Sequence, residues 1–548
     1  MLSRSVIERL LPLLQRDCRR ALKMHVPGFP RPFFCSFLLR DVSWFNTWAS
    51  AGSVYKRRSD KKRHVYCDLR VGSYRLDQVS SGGLNDEEEE RDSTAFSSVP
   101  IDDRNFEGLR LVLWRLVESK FKEALSDLAE KEGDSVSRIS PHDEFVALIK
   151  QRRKKVFIHQ AADVIDEDAW VKFCKKASLW MASLPKLTSS HVEIDASQTT
   201  KMYVSSEGRV IVQPEKTFTL VATFRKLAKD GVFLEQELII NTPSLDELPN
   251  LRTFKKLALK KYDQLLKLSK ARSITSFSGP VLLYPKPAGL LFHEAIGHRL
   301  EGNRLLSSGE GQTFKDQIDQ RVLDLPVSVR DNPRQRSYEG KKCIGAYAYD
   351  DEGVEAANVQ LLDKGVLKGF LTSRAPCLKK GFVANGHGRN AQYERPISRM
   401  GVTIVESKKG ISLKSLVALL VREIQKQGKP FGMIVFETSG GETDTGSYNF
   451  QAFSGEVSFA VLVYPDGKQE VVRGVNFVGT PLQALQNIIA VGKESELDNS
   501  FCGAESGLIP VTTISPAVLL SSLELQAKEL ERVTQTVLKP PRIKVARH

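Results

Sequence analysis

No segment of the chain approaches the roughly 18 consecutive apolar residues that a bilayer-spanning helix needs. The best short run, Pro32 to Leu39, stops at Arg40. A membrane is therefore not an expected partner. Cysteine is scarce: the seven thiols, at Cys18, Cys35, Cys67, Cys174, Cys343, Cys377 and Cys502, are odd in number and far apart. No disulfide framework is legible in that spacing, and a reducing, cytoplasmic setting fits it best. The chain has no internal repeat at a solenoid period, and no zinc-finger, helix-turn-helix or RNA-binding signature. The opening MLSRSVIERLLPLLQRDCRRAL lacks the apolar core and cleavage site of a targeting peptide, because Glu8 and Asp17 interrupt it. It reads instead as an amphipathic helix belonging to the fold.

What is present is an ordinary globular composition, 41% hydrophobic and 27% charged over 548 residues. That length predicts two to four domains with a sizeable core. Collagen, coiled-coil and wholly disordered chains are excluded. The formal charge of +14 is local: residues 1 to 75 hold 16 basic and 5 acidic side chains, which leaves +3 for all the rest. Its densest part, KRRSDKKRH from Lys56 to His64, leads into the alternating VYCDLRV. It is read as a hairpin tip or a charged strand edge. Without an accompanying recognition motif, the basic excess does not make nucleic acid an expected partner.

Element signals divide the chain. GGLNDEEEERDST, Gly82 to Thr94, predicts an exposed loop near 80–95. Apolar spacing predicts helices over Phe106 to Lys131, Asp166 to Ser183, Ser244 to Ser269 and Leu413 to Gln427. Between His191 and Asn241, five short β-rich runs with Glu207-Gly208 and Asp230-Gly231 turns predict an antiparallel meander. GPVLLY, Gly279 to Tyr284, is a short buried strand. Strand signals then dominate, in MIVFE, EVSFAVLVY and QEVVRGVNFVG. The expected fold class is α+β: an N-terminal α/β domain, residues 1–275, then a β-rich C-terminal domain, residues 276–548.

Chemistry concentrates in AGLLFHEAIGHRLEG. Here His293, Glu294 and His298 follow a buried apolar run. Neutral imidazole is the commonest metal-ligand side chain, and a neighbouring carboxylate is what metal-assisted hydrolysis needs to take a proton from water. The spacing is i, i+5, which on a regular helix separates the histidines by about 140°. A π-type turn brings that to about 50°. The sequence therefore predicts a π-bulge or irregular turn between His293 and His298, with Gly297 supplying flexibility; a regular helix would defeat the metal reading. The alternative to a metal site is that the histidines are ordinary core or cap residues and Glu294 and Glu301 solvated helix carboxylates. Two histidines need a third ligand, and Cys502 in LDNSFCGAESG is the candidate, on a loop marked by Gly503 and Gly507. Zinc suits such a ligand set, with iron or cobalt as alternatives.

These residues resemble the TldD/PmbA metallopeptidase family, on its TldD side, whose signature is HExxxH with a distant cysteine. The resemblance runs through FHEAIGHRLEG, GQTFKDQIDQRV, YDDEGV, LLDKGVLKGFLTSRAP, NGHGR, SGGETDTGSYNF and VGKESELDNSFCG, in that order. It covers the C-terminal half nearly end to end. It implies one zinc per chain held by His293, His298 and Cys502, with Glu294 as general base and unfolded or extended peptides as substrates bound by strand addition. It also implies work as a homodimer or as a heterodimer with a homologue. The alternative is a non-catalytic peptide-binding subunit of a peptidase complex, against which the intact Glu294 argues. Gly440 and Gly441 would allow close approach of a peptide or simply form a turn. His387 is read as a substrate-binding group, a support for a ligand or a turn residue. Asp351, between Asp350 and Glu352, is expected to bind a peptide amine, to orient a histidine or to lie in a solvated loop.

Overall fold

The computed structural model describes residues 1–79, 96–137, 145–158, 160–306, 313–374, 377–378, 383–391, 394–445, 452–528, 532–534 and 538. The expected exposed loop near 80–95 lies outside the described residues.

Two large sheets organise an α+β fold. Among the described residues the first has seven strands, centred on the long antiparallel ribbons Pro32–Ser50, Ser53–Val71, Ser189–Ser205 and Val210–Leu227. Alternation along these strands sends Phe37, Leu39 and Phe45 to one face, where helices cover them. Arg4–Ala21 and Glu107–Ser137 pack one end through Leu10, Leu14, Leu113 and Phe121. Glu167–Ala182 and Leu251–Leu268 pack the other through Cys174, Met181, Phe254 and Leu265. The first helix begins at an N-cap, the Ser3 hydroxyl accepting from the Val6 amide.

The five short runs between His191 and Asn241 resolve into three long strands, Ser189–Ser205, Val210–Leu227 and Phe233–Thr242, in an antiparallel meander. Polar residues inside a run did not end a strand, because strand pairing on both sides satisfies their backbone. The basic Lys56–His64 run is not a hairpin tip. The tip is Ala51-Gly52, both at positive φ, and the run lies along Ser53–Val71. Among the described residues its outer side pairs at 64–66 with Phe96–Ser98 and the Arg63 carbonyl accepts the Val99 amide, so among those residues most of the run is a charged strand edge.

Among the described residues the second sheet has twelve strands and gathers most of the chain after residue 270. Its centre is Gly507–Ala527, a strand of 21 residues. Phe277–Leu283 and Ile488–Ala504 pair with it antiparallel, and Val402–Ser407 parallel. Gly432–Thr443 joins beyond Phe277–Leu283. The largest apolar core lies here and includes Leu291, Phe292, Ile296, Leu300 and Met400.

The uncovered face of the seven-stranded sheet meets the segment around Asp351. Leu38, Tyr66, Tyr203 and Ile211 pack with Tyr349, and Lys201 Nζ donates to Asp351 Oδ1 at 2.9 Å. Asp350, Asp351 and Glu352 are buried, at 3%, 5% and 7% exposure. The solvated-loop reading of this cluster is corrected: a tightly turned acidic tripeptide finds its partners in Lys201, Arg40 and Arg374 rather than in water.

Candidate metal centre

The helix Pro285–Phe292 starts with proline at its first turn, where no backbone donor is lost. It runs directly into a π-helical turn, His293–Gly297, in which the His298 amide donates to the His293 carbonyl five residues back. Short 3-10 turns follow at His298–Leu300 and Gly302–Leu306. Ala295, Ile296 and Leu300 are fully buried in the core and fix this irregular turn in place. The widened turn swings both imidazoles to one side, with ring centroids 4.9 Å apart and planes at 89°.

Cys502 comes from a strand of the twelve-stranded sheet about 200 residues further along the chain. It sits on the strand Ile488–Ala504, opposite Ile509 and two residues before the turn into Gly507–Ala527. The expectation of a loop cysteine is thus corrected: Gly507, at φ 84°, makes the turn, while pairing holds Cys502 itself in extended backbone. Its Sγ lies 3.2 Å from His293 Nε2 and 3.2 Å from His298 Nε2. All three ligand atoms fall within 4.8 Å of one another. Tetrahedral bonds of about 2.3 Å to sulfur and 2.0–2.1 Å to nitrogen would set N and S roughly 3.6 Å apart. The donor set and spacing therefore fit a borderline-soft divalent ion after shifts of a few tenths of an ångström.

The surrounding charges favour such an ion. Burial opposes the Cys502 thiolate, but His298 and His293 outweigh it and hold the thiol well below its ordinary pKa. Glu301 is completely buried, and its carboxylate takes His298 Nδ1 at 3.1 and 3.2 Å. Burial opposes its charge too, but His298 and Arg304 hold its pKa down to about 2. A carboxylate on Nδ1 turns the opposite nitrogen, Nε2, toward the sulfur and raises its basicity. The solvated-carboxylate reading of Glu301 is therefore corrected. The signal for it was its position three residues after His298, one turn along the same helical segment.

Glu294 is 4% exposed, and its Oε2 is buried without a hydrogen-bond partner among the described residues. Burial pushes its carboxyl above the ordinary range. Glu294 and the three ligand side chains line one cleft of about 350 Å3, walled by Thr438–Thr443 on one side and by Ser500–Glu505 on another. Gly440 and Gly441 lie on that wall, inside the strand Gly432–Thr443 rather than in a turn. His387 and Asp351 are not brought to the cleft. His387 is fully buried, between Asn385 Oδ1 at 2.9 Å and Asp331 Oδ1 at 3.2 Å. Asp351 is held by Lys201 and Arg40 at the junction with the seven-stranded sheet. Both are buried and engaged by neighbouring side chains away from the cleft. Arg304 and the Lys286–Asp498 ion pair line the cleft and carried no sequence signal.

This arrangement, paired imidazoles and a thiol beside a carboxylate oxygen unpartnered among the described residues, is a candidate centre for a metal ion. Residues 276–527 match the PmbA/TldA metallopeptidase C-terminal domain. The C-terminal half of the chain thus carries the C-terminal domain of the PmbA/TldD metallopeptidase family. The chain is 32% identical to a metalloprotease of Archaeoglobus fulgidus over 46% of this chain and 55% of that protein. It is 25% identical to the zinc metalloprotease TldD homolog of Saccharolobus solfataricus over 59% of this chain and 68% of that protein. The match thus spans about half the length of the Archaeoglobus relative. In fold the chain is similar to TldE from Thermococcus kodakarensis, with a TM-score of 0.60 and 13% identity, over 95% of this chain and all of that one. Among the described residues no helix is long and apolar enough to cross a membrane.

Proposed function

We propose that the chain is a zinc-dependent peptidase that hydrolyses unfolded or extended peptides, with Glu294 as general base. The observation that carries this reading is the convergence of His293 Nε2, His298 Nε2 and Cys502 Sγ beside the unpartnered, buried Glu294 Oε2. When bound, zinc would supply Lewis acidity at a fixed point of the cleft. Glu294 takes the proton of the attacking water on its free oxygen and later returns it to the leaving amine. Its burial supports both steps, because a carboxyl pushed above the ordinary range accepts and releases a proton closer to neutrality. His293, His298 and Cys502 hold the ion, and Glu301 orients His298.

Substrate binding by strand addition is supported by the sheet edges around the cleft. From residue 437 to 443, Gly432–Thr443 pairs among the described residues with Phe453–Val463 alone, since Phe277–Leu283 reaches just residues 433–435. Backbone donors and acceptors on that edge suit an extended peptide of any sequence. A dimer with itself or a homologue, a cytoplasmic setting and a domain boundary between residues 275 and 276 belong to the same proposal.

The test is metal content per purified chain together with cleavage of an unfolded peptide by the wild type and by Glu294→Gln. The reading expects about one zinc per chain in both. It expects turnover reduced by about 10²–10⁴-fold in the variant. Full turnover in Glu294→Gln would exclude it as the base. Absence of metal in the wild type after zinc is supplied would favour a peptide-binding subunit instead.

A further inference from the structure

We propose that Arg399 is a positioning residue for the metal site, clamping the Cys502 hairpin to the carboxylate that orients His298. The inference rests on the metal reading above. Its geometry, however, belongs to the chain alone. The ligands sit on two elements about 200 residues apart in sequence, a π turn and a β-hairpin, and no covalent feature fixes the distance between them. Arg399 spans that gap. Its guanidinium is fully buried. Nη2 donates to the Cys502 carbonyl at 2.7 Å, and Nη1 donates to Ser506 Oγ at 2.8 Å and to the Gly507 carbonyl at 3.0 Å. Nε stands 3.6 Å from Glu301 Oε1 as an ion pair. One rigid planar fork therefore holds three points of the hairpin and faces the carboxylate on His298 Nδ1, a geometry that lysine's single ammonium cannot reproduce.

Arg399 is itself held from behind. Its backbone amide donates to the His387 carbonyl at 2.9 Å. The His387 ring meets Asp331, and Asp331 accepts the amides of Gly401 and Val402 and the Thr403 hydroxyl. His387 and Asp331, both away from the cleft, thus act as the buttress of the segment that carries Arg399. Arg304 already charge-balances Glu301 through Nε and Nη2. What Arg399 adds is the tie to Cys502, and the predicted defect is in ligand placement.

The experiment uses the full chain, stripped of metal with a chelator, as wild type, Arg399→Lys and Arg399→Met. Zinc affinity is read by competition with a chromogenic chelator. The cobalt-substituted proteins are compared by their absorption spectra, in which thiolate-to-cobalt and d–d bands report ligand geometry. Both variants are expected to bind zinc about 10–100-fold more weakly and to shift the cobalt bands, with the far-UV circular dichroism of the wild type. Wild-type affinity and an unshifted cobalt spectrum in folded Arg399→Lys would overturn the proposal. If Arg399→Met does not fold, Arg399→Lys decides alone, since it keeps a positive charge beside Glu301. A wild-type protein that binds neither zinc nor cobalt would overturn the metal reading and this inference with it; binding that the variants leave unchanged overturns this inference only.

Discussion

Gly297 and Met400 are packed so closely that a β-carbon on Gly297 would lie 1.9 Å from Met400 Sδ and 2.9 Å from its Cε. The backbone of Gly297 is ordinary right-handed helix, at φ −55° and ψ −63°. Glycine is required there for space, not for flexibility as its place in the motif suggested. Met400 is fully buried and adjoins Arg399, so a methyl at 297 must displace a core side chain beside the candidate metal site. Gly297→Ala is expected to destabilise the protein by about 1–3 kcal/mol and to weaken zinc binding, measured by urea unfolding and chelator competition. Met400→Ala in the same chain should recover part of the loss, because the smaller side chain admits the methyl. Wild-type stability in Gly297→Ala would contradict the packing argument.

Glu301→Gln tests the carboxylate behind His298. The substitution keeps the shape and removes the charge, leaving Arg304 and Arg399 facing a neutral amide in a fully buried place. Stability should fall by roughly 3–5 kcal/mol, as for a buried pair that loses one partner. Zinc affinity should fall about 10–100-fold. Calorimetry on metal-free protein and a zinc titration separate the two effects. Unchanged zinc affinity would mean that Glu301 does not set the orientation of His298.

The legible part of this molecule was the part governed by local rules. The i, i+5 spacing of His293 and His298 rules out a regular helix for a shared ion, and the π turn is one of the two irregular solutions that spacing allowed. Helices such as Glu167–Ala182 and Leu413–Lys426 announce themselves by apolar period and by caps at Asp166 and Ser412. The illegible part was long-range pairing. Nothing within YDDEGV states that Lys201 and Arg40, more than a hundred residues earlier, will neutralise Asp351 across a sheet face. Asp351 therefore looked solvated, and His387 looked like a turn residue although Asp331 holds it. Cys502 was singled out by its chemistry, but its place on a strand beside the two histidines depended on a register with Gly507–Ala527 that local pattern does not give.

The acidic tripeptide at the sheet junction gives the protein a pH dependence. Burial pushes Glu352 up to about 7 and Asp350 well above its ordinary value, the latter also through the neighbouring Glu352. In the unfolded chain Glu352 titrates near 4.5. Between these values the folded protein keeps a proton that the unfolded chain has released, so stability declines as pH rises through the window and is highest below it for this group. Glu352→Gln keeps an acceptor for the Arg374 amide and removes the titration. Urea midpoints between about pH 5 and pH 8 should fall less steeply in the variant. Above pH 7 it should be the more stable protein. Equal slopes would show that Glu352 ionises freely in the folded state.

Gly440 and Gly441 are neighbours on the cleft wall with opposite surroundings, and a substrate strand should tell them apart. A β-carbon on Gly441 would meet Leu290 Cδ1 at 2.9 Å and the Ser454 carbonyl oxygen at 2.9 Å. That position is filled by the protein itself, so Gly441→Ala should lower stability and disturb Leu290, which also lines the cleft. A β-carbon on Gly440 would meet nothing within 4 Å. Gly440→Val should therefore fold as well as the wild type, since valine suits an extended strand. If an extended peptide lies along residues 437–443, the new side chain intrudes on it and KM rises, by about tenfold if about 1.4 kcal/mol of binding is lost. Turnover at saturation should change little, because the ligands and Glu294 are untouched. Steady-state kinetics on an unfolded peptide, beside a urea melt, reads both quantities. An unchanged KM in a stably folded Gly440→Val protein would remove this edge as the place where the peptide binds, and leave the Ser500–Glu505 wall as the one to test.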